Sequence, residues 1–222
     1  MIINKDTAIY GSFGKQAGNK GCVLFNNAFE FYGMNAIYKS FSVDDIMWAT
    51  QAALCLDIKG FAVTTPYKTD VLKYVNDHSE EVEAIGAANT IVNNDGILKS
   101  HNTDYLAAES LLRTIPPSGN LTKCVLYILG EGGYSKAVQY AAQSLNLSYS
   151  IINRTNWKDI KDIRHSTIYN CTPVERVKHH DSNNFIDCSV NTVTGRRLGK
   201  IQAGHQFELY TGQPAPQGIF CR

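Results

Sequence analysis

The chain has 222 residues, of which 44% are hydrophobic and 18% charged, enough apolar material for one large or two small cores. Its net charge of +1 leaves no polybasic field, which argues against nucleic acid or a membrane surface as a partner. No apolar run approaches the ~18 residues of a membrane span. The opening MIINKDTAIYG has neither the apolar stretch nor the cleavage pattern of a secretory signal, so a cytoplasmic protein is expected.

Short apolar strands alternate with helical stretches from end to end, the pattern of an α/β protein. In the first half, strands are expected near Ala8–Gly11, Ala36–Phe41, Gly60–Thr64 and Ala88–Val92, and helices near Leu24–Tyr32, Asp44–Leu56 and Tyr67–Val75. Asn94-Asp95-Gly96 between two apolar pairs is a hairpin signal, so Ile97–Ser100 should run back antiparallel and make this sheet mixed. A helix over Tyr105–Arg113 precedes Thr114-Ile115-Pro116-Pro117-Ser118-Gly119-Asn120, whose composition marks a linker. Strands are expected again at Cys124–Leu129, Tyr149–Asn153, Thr167–Asn170 and Phe185–Cys188.

Cys22, Cys55, Cys124, Cys171, Cys188 and Cys221 fall at irregular spacings with no C-x-x-C pair and read as reduced core thiols. His179-His180-Asp181 reads as a solvated loop, because adjacent histidines diverge, and no metal is expected.

The stretch VLYILGEGGYSKAVQY, Val125 to Tyr140, carries the most chemistry. An apolar strand breaks at Gly130, passes Gly132 and Gly133, and continues into an amphipathic helix over Tyr134–Leu145. Gly130 permits a tight turn, Gly132 lets backbone approach a pyrophosphate, and the helix start offers free N–H groups. An NAD site would place an acid about 20 residues past these glycines. This chain instead reads Asn153-Arg154-Thr155 followed by Lys158, and a guanidinium there suits a 2′-phosphate, which points to NADP.

IKGFAVTTPYK (Ile58 to Lys68), IGAANTIV (Ile85 to Val92), HNTD (His101 to Asp104), LGEGGYSKA (Leu129 to Ala137), NRTNWK (Asn153 to Lys158), NCTPVE (Asn170 to Glu175) and IQAGHQFELYTG (Ile201 to Gly212) occur in one order along the chain. Together they resemble the shikimate dehydrogenase family. The resemblance implies a mixed-sheet α/β substrate-binding and catalytic domain over 1–104 and 200–222, and a trimmed Rossmann-type NADP-binding domain over 105–199. The active site would lie in the cleft between them.

It further implies that Lys68 and Asp104 are catalytic, with Lys68 trading a proton with the carbonyl oxygen. Thr64, Asn89 and Gln202 would hold substrate, as would Lys20 and Cys22, which occupy the positions that take its carboxylate. Gly130, Gly132 and Gly133 would take the pyrophosphate, and Asn153, Arg154, Thr155 and Lys158 the adenosine 2′-phosphate. Several of these residues have plainer readings. Asp104 also fits as a helix N-cap, Lys68 as a solvated lysine in a first helical turn, and Trp157 as either an adenine-stacking or a packing aromatic.

The chain departs from the family where its substrate carboxylate is held. Aligned on Asn27, Lys20 and Cys22 stand in place of a serine pair, and Val190 is closest to the place of an expected tyrosine. Only residues 156–170 separate Thr155 from Cys171, too few for the usual additional helix and strand. The expectation is therefore an NADP-dependent dehydrogenase, monomer or homodimer, reducing 3-dehydroshikimate or a related cyclic keto acid. The altered positions keep open a second reading, a non-catalytic homologue that binds NADP or a small ligand as sensor or scaffold.

Overall fold

A computed structural model of the chain describes residues 2–115, 126–189 and 191–220. They fall into two compact units, 1–103 with 200–222 and 104–199, so Asp104 is the first residue of the second.

The first unit is built on a six-stranded sheet. β1 (Ala8–Gly14) lies between β2 (Ala36–Ser42) and β3 (Gly60–Val63), parallel to both. β3 then pairs antiparallel with β5 (Thr90–Asn94), and β5 with β6 (Ile97–His101); the two-residue β4 (Asp77–His78) closes the edge parallel to β6. The expected hairpin forms, with Asp95 and Gly96 both at positive φ (51° and 93°), and it makes the sheet mixed.

Two helices link the parallel strands. α1 (Lys20–Phe31) buries Phe25, Ala28 and Phe29, the i, i+3, i+4 stripe of a one-sided helix. α2 (Ile46–Cys55) starts where the Asp45 carboxylate accepts from Met47 N at 2.7 Å and Trp48 N at 3.3 Å. Period-two alternation splits β1 between two cores: Phe13 packs with Ile46, Ala53, Phe61 and Ile91, while Tyr10 packs with Phe25, Phe29, Phe207 and Tyr210.

Three expectations for this unit need correction. Residues Tyr67–Val75 form a turn and a 3₁₀ helix at Asp70–Tyr74 instead of an α-helix, because Val75 is already extended as the chain runs to β4. β4 and α3 (Glu80–Ile85) were not anticipated, although Ser79 before Glu80-Glu81 and Gly86 at φ +68° are readable start and stop signals. Cys55 is exposed on α2, so it is no core thiol; Cys124 and Cys221 lie outside the described residues.

The second unit carries a four-stranded, wholly parallel sheet in the order β10-β9-β7-β8. Its elements are α4 (Asp104–Leu112), β7 (Leu126–Leu129), α5 (Gly133–Ser144), β8 (Tyr149–Ile152), β9 (Thr167–Asn170) and β10 (Asn184–Asp187). Only a 3₁₀ helix, Trp157–Asp162, joins β8 to β9, and it packs Ile160 and Trp157 against a core of Leu129, Ile152 and Ile168. Thr114 and Ile115 of the expected linker form a turn after α4; its remainder, 116–120, lies outside the described residues, as do 124 and 125 of the expected strand.

α6 (Val193–Thr211) begins in the second unit and ends in the first, followed by α7 (Gln217–Phe220). Two glycines fit it to its surroundings. A Cβ on Gly60 would stand 2.4 Å from the Tyr210 ring, and one on Gly195 would stand 2.0 Å from Ser189 O. Among the described residues, no helix is long and apolar enough to cross a membrane.

Candidate active site

In the first unit, α1 carries the chain from β1 outward to β2, and α2 carries it back past β1 to β3. The strand order thus reverses between β1 and β3, and the crevice outside the carboxyl ends of such strands is where open α/β sheets take ligands. There the backbones approach closely: a Cβ on Gly14 would sit 2.3 Å from Thr64 Cγ2, and Thr64 N donates to Phe13 O at 3.0 Å.

The segment after β3 turns at Thr64, whose carbonyl accepts from Tyr67 N at 3.0 Å; the Thr65-Pro66 bond is cis. Tyr67 is buried and its hydroxyl donates to Val43 O at 2.8 Å, which anchors the turn. Lys68 follows, half-buried, with its carbonyl accepting from Ala88 N at 2.8 Å, next to Asn89.

Asn89 is 2% exposed and its amide is fully engaged. Nδ2 donates to Thr103 Oγ1 and to Gln202 Oε1, both at 3.0 Å, while Oδ1 accepts from Thr103 N and from Thr90 Oγ1, both at 2.8 Å. Gln206, one turn beyond Gln202 on α6, donates to Asn89 O at 3.1 Å and to Thr90 Oγ1 at 2.9 Å. In low dielectric such a network is rigid when every member is satisfied. Thr90, Thr103 and Gln206 were missed in the sequence; Gln206 had a signal, since it shares a helix face with Gln202.

Thr64, Lys68, Asn89 and Gln202 thus gather around the ends of β3 and β5 and the second half of α6. Lys20 and Cys22 lie instead in the first turn of α1. Cys22 Sγ stands 3.3 Å from Ser40 Oγ, and Ser40 Oγ 2.9 Å from Ser12 Oγ.

In the second unit the strand–turn–helix forms at the glycines. Gly130 adopts φ +106°, and a Cβ there would stand 3.0 Å from Thr172 Cγ2, so two independent constraints select glycine. Ser135 Oγ donates to Gly130 O at 2.6 Å and holds the turn shut. Gly132 is the extended residue before α5 and has open space where a Cβ would project.

At the end of β8 the next loop is shaped by its own side chains. Asn153 Oδ1 accepts from Thr155 N at 2.9 Å and from Thr155 Oγ1 at 2.6 Å, and Asn156 Oδ1 accepts from Asn153 N at 2.7 Å. Arg154, Thr155 and Lys158 are exposed, while Trp157 packs against the core. An open glycine edge, a helix start and a guanidinium on a preformed loop fit a phosphorylated dinucleotide.

Asp104 opens α4 and is 6% exposed. Its charge reaches Tyr134 and Cys171, two groups whose pKa values burial pushes well up and Asp104 raises further. Cys188, beside Tyr169 and Tyr134, is pushed up to about 12 by burial, so these thiols stay protonated. His179 stacks on Phe185 and His180 Nδ1 lies 2.9 Å from Ser182 Oγ; among the described residues no cluster of three metal-ligating side chains occurs.

The mixed sheet, followed in sequence by a wholly parallel Rossmann-type sheet, defines the class, an α/β protein of two units. The family model described as the shikimate dehydrogenase substrate binding domain matches residues 19–91. A shikimate dehydrogenase-like protein of Haemophilus influenzae is 35% identical over 137 residues, 62% of this chain and 49% of that protein. The NADP(+) shikimate dehydrogenase of Pyrococcus furiosus is 35% identical over 156 residues, 69% of this chain and 56% of that protein.

Among solved structures, a shikimate 5-dehydrogenase-like protein superposes with a TM-score of 0.81 at 25% identity, covering 99% of this chain and 97% of that one. Shikimate 5-dehydrogenase from Thermus thermophilus in complex with shikimate has the same fold, with a TM-score of 0.81 at 19% identity over 96% of each chain. The chain thus resembles shikimate dehydrogenases in sequence over 69% of its length and in fold over 99% of it. By aligned sequence it spans about half the length of the curated relatives it matches.

Proposed function

We propose that this chain is an NADP-dependent oxidoreductase of shikimate dehydrogenase type, cytoplasmic and monomeric or homodimeric, which reduces 3-dehydroshikimate or a related cyclic keto acid to the alcohol. The observation that carries the reading is the turn after β3, where Lys68 is anchored through its carbonyl to the strand of Asn89, beside the buried Asn89–Thr103–Gln202 network.

In this reading residues 1–104 and 200–222 hold substrate and 105–199 hold the cofactor. Thr64 and Gln202 meet the substrate's hydroxyls, and Asn89, its own amide engaged, sets the orientation of Gln202. Lys68 Nζ hydrogen-bonds the carbonyl oxygen, delivers its proton there and stabilises the negative charge that develops. Asp104 supplies the second catalytic group, a carboxylate that accepts from a substrate hydroxyl.

NADPH, when bound, supplies the hydride. For its pyrophosphate the chain offers the edge formed by Gly130, Gly132 and Gly133, and for the 2′-phosphate the loop of Asn153, Arg154, Thr155 and Lys158. The relatives named for NADP(+) support this cofactor.

Purified protein given NADPH and 3-dehydroshikimate is expected to oxidise the nucleotide, and Lys68→Ala to lower kcat about 10²–10⁴-fold, the usual worth of a positioned acid–base group. Absence of turnover across a panel of cyclic keto acids, or turnover that survives the substitution, overturns the reading.

A further inference from the structure

Beneath the first turn of α1, side chains from three elements form one hydrogen-bonded chain. Ser12 on β1 and Ser40 on β2 are register partners, with their hydroxyl oxygens 2.9 Å apart, and Cys22 Sγ lies 3.3 Å from Ser40 Oγ. Tyr38, buried two residues before Ser40, lies within electrostatic reach of Ser12. Gly21 leaves room for its ring: a Cβ at Gly21 would stand 3.0 Å from the Tyr38 ring.

The chemistry of this cluster is one-sided. Ser12 Oγ donates to Ser40 Oγ, and a thiol is both a weak donor and a weak acceptor, so whichever of Ser40 and Cys22 donates to the other, the Ser40 proton has no strong acceptor in this row. No carboxylate takes part, and α1 begins with no acidic residue in its first turn and no side-chain cap, leaving that end positive. The Tyr210 hydroxyl, 92% buried by residue (8% exposed) and electrostatically coupled to Tyr38, also lacks a hydrogen-bond partner. Ser12, Ser40 and Cys22 are each only half-buried, which leaves the row open to a ligand at the carboxyl ends of β1 and β2.

We propose that Ser40, held in place by Ser12, is the specificity-determining hydroxyl that receives the substrate's carboxylate in this chain. This rests on the dehydrogenase reading for its substrate and extends it to a position one strand away from the altered Lys20 and Cys22. The Ser40 hydroxyl donates to a carboxylate oxygen, Ser12 fixes the Ser40 rotamer, and Cys22 fills space above them. The ligand class selected is a compact anion on a ring with hydroxyl or keto groups.

The test compares wild type, Ser40→Ala, Ser40→Thr and Cys22→Ser for turnover of 3-dehydroshikimate and its methyl ester. A hydrogen bond to a charged group corresponds to about a 10- to 100-fold effect. Ser40→Ala is expected to raise KM for the acid by that factor, with kcat within about threefold and KM for the ester unchanged. Ser40→Thr should restore most of the affinity, and Cys22→Ser, which adds a donor beside Ser40, should lower KM for the acid. Equal effects on acid and ester, or a KM for the acid within twofold of wild type in Ser40→Ala, overturn the proposal.

Calorimetry with shikimate alone separates this from failure of the dehydrogenase reading. If wild type shows no turnover, shikimate binding that Ser40→Ala weakens still supports the carboxylate site; no binding to wild type, or binding the substitution leaves unchanged, removes it. If Ser40→Ala does not fold, Ser40→Cys keeps the shape and replaces the donor by a thiol, and the same outcomes decide.

Discussion

Glu81 shows how a single side chain ties the fold to pH. Burial pushes its carboxyl up, but His101 Nδ1 at 3.5 Å and further hydrogen bonds, including that from Asn102 N, outweigh this and hold it at about 2, below the ordinary 4.5. A carboxylate so depressed contributes stability that is fully present above pH 4.5 and is lost as pH falls through about 2. Thermal melting across that window should show Glu81→Gln flatter than wild type; parallel curves would mean that Glu81 gains nothing from its partners. Arg154 is the second such residue. If its guanidinium binds the 2′-phosphate, Arg154→Asp should shift the NADPH/NADH ratio of kcat/KM by about one to two decades toward NADH, the worth of a charge-assisted hydrogen bond. An unchanged ratio removes that role.

Helix α6 sets the lesson at the scale of an element. Gly195 and Gly199 look alike in the sequence, one turn apart, but they meet different surroundings. A Cβ at Gly195 would collide with Ser189 O, whereas one at Gly199 meets nothing within 4 Å. Gly199→Ala should therefore raise stability by roughly 0.5–1 kcal/mol through helix propensity alone, and Gly195→Ala should lower it, both read from chemical denaturation midpoints. The opposite order would mean that the Ser189 carbonyl moves aside at little cost. The 3₁₀ helix at Asp70–Tyr74 makes a related point: Val71 and Leu72 are apolar enough for an α-helix, yet the nearby edge pairing of β4 with β6 ends it early.

At the scale of the molecule, the two units separate the tasks of the proposed reaction. Hydrogen exchange should resolve them: NADP is expected to slow exchange at residues 130–136 and 153–158, and shikimate at 12–22, 64–68 and 87–90. NADP protection confined to 1–103 would reverse the assignment of the units.

Much of this was legible in the chain because it is local. The hairpin at Asn94–Gly96, the break at Gly130, and the α5 stripe of Ala137, Val138 and Ala141 depend on backbone freedom and periodicity within a few residues. The ordered motifs from Ile58 to Gly212 carried the family likeness for the same reason. What only the tertiary structure decided was which distant residues meet. Ser12 meets Ser40 because two strands 28 positions apart pair in parallel register, and Asn89 meets Gln202 because α6 returns across 113 positions to the first sheet. Spacing along a chain holds no record of such contacts, since strand order and helix return are set by burying both faces of a sheet at once.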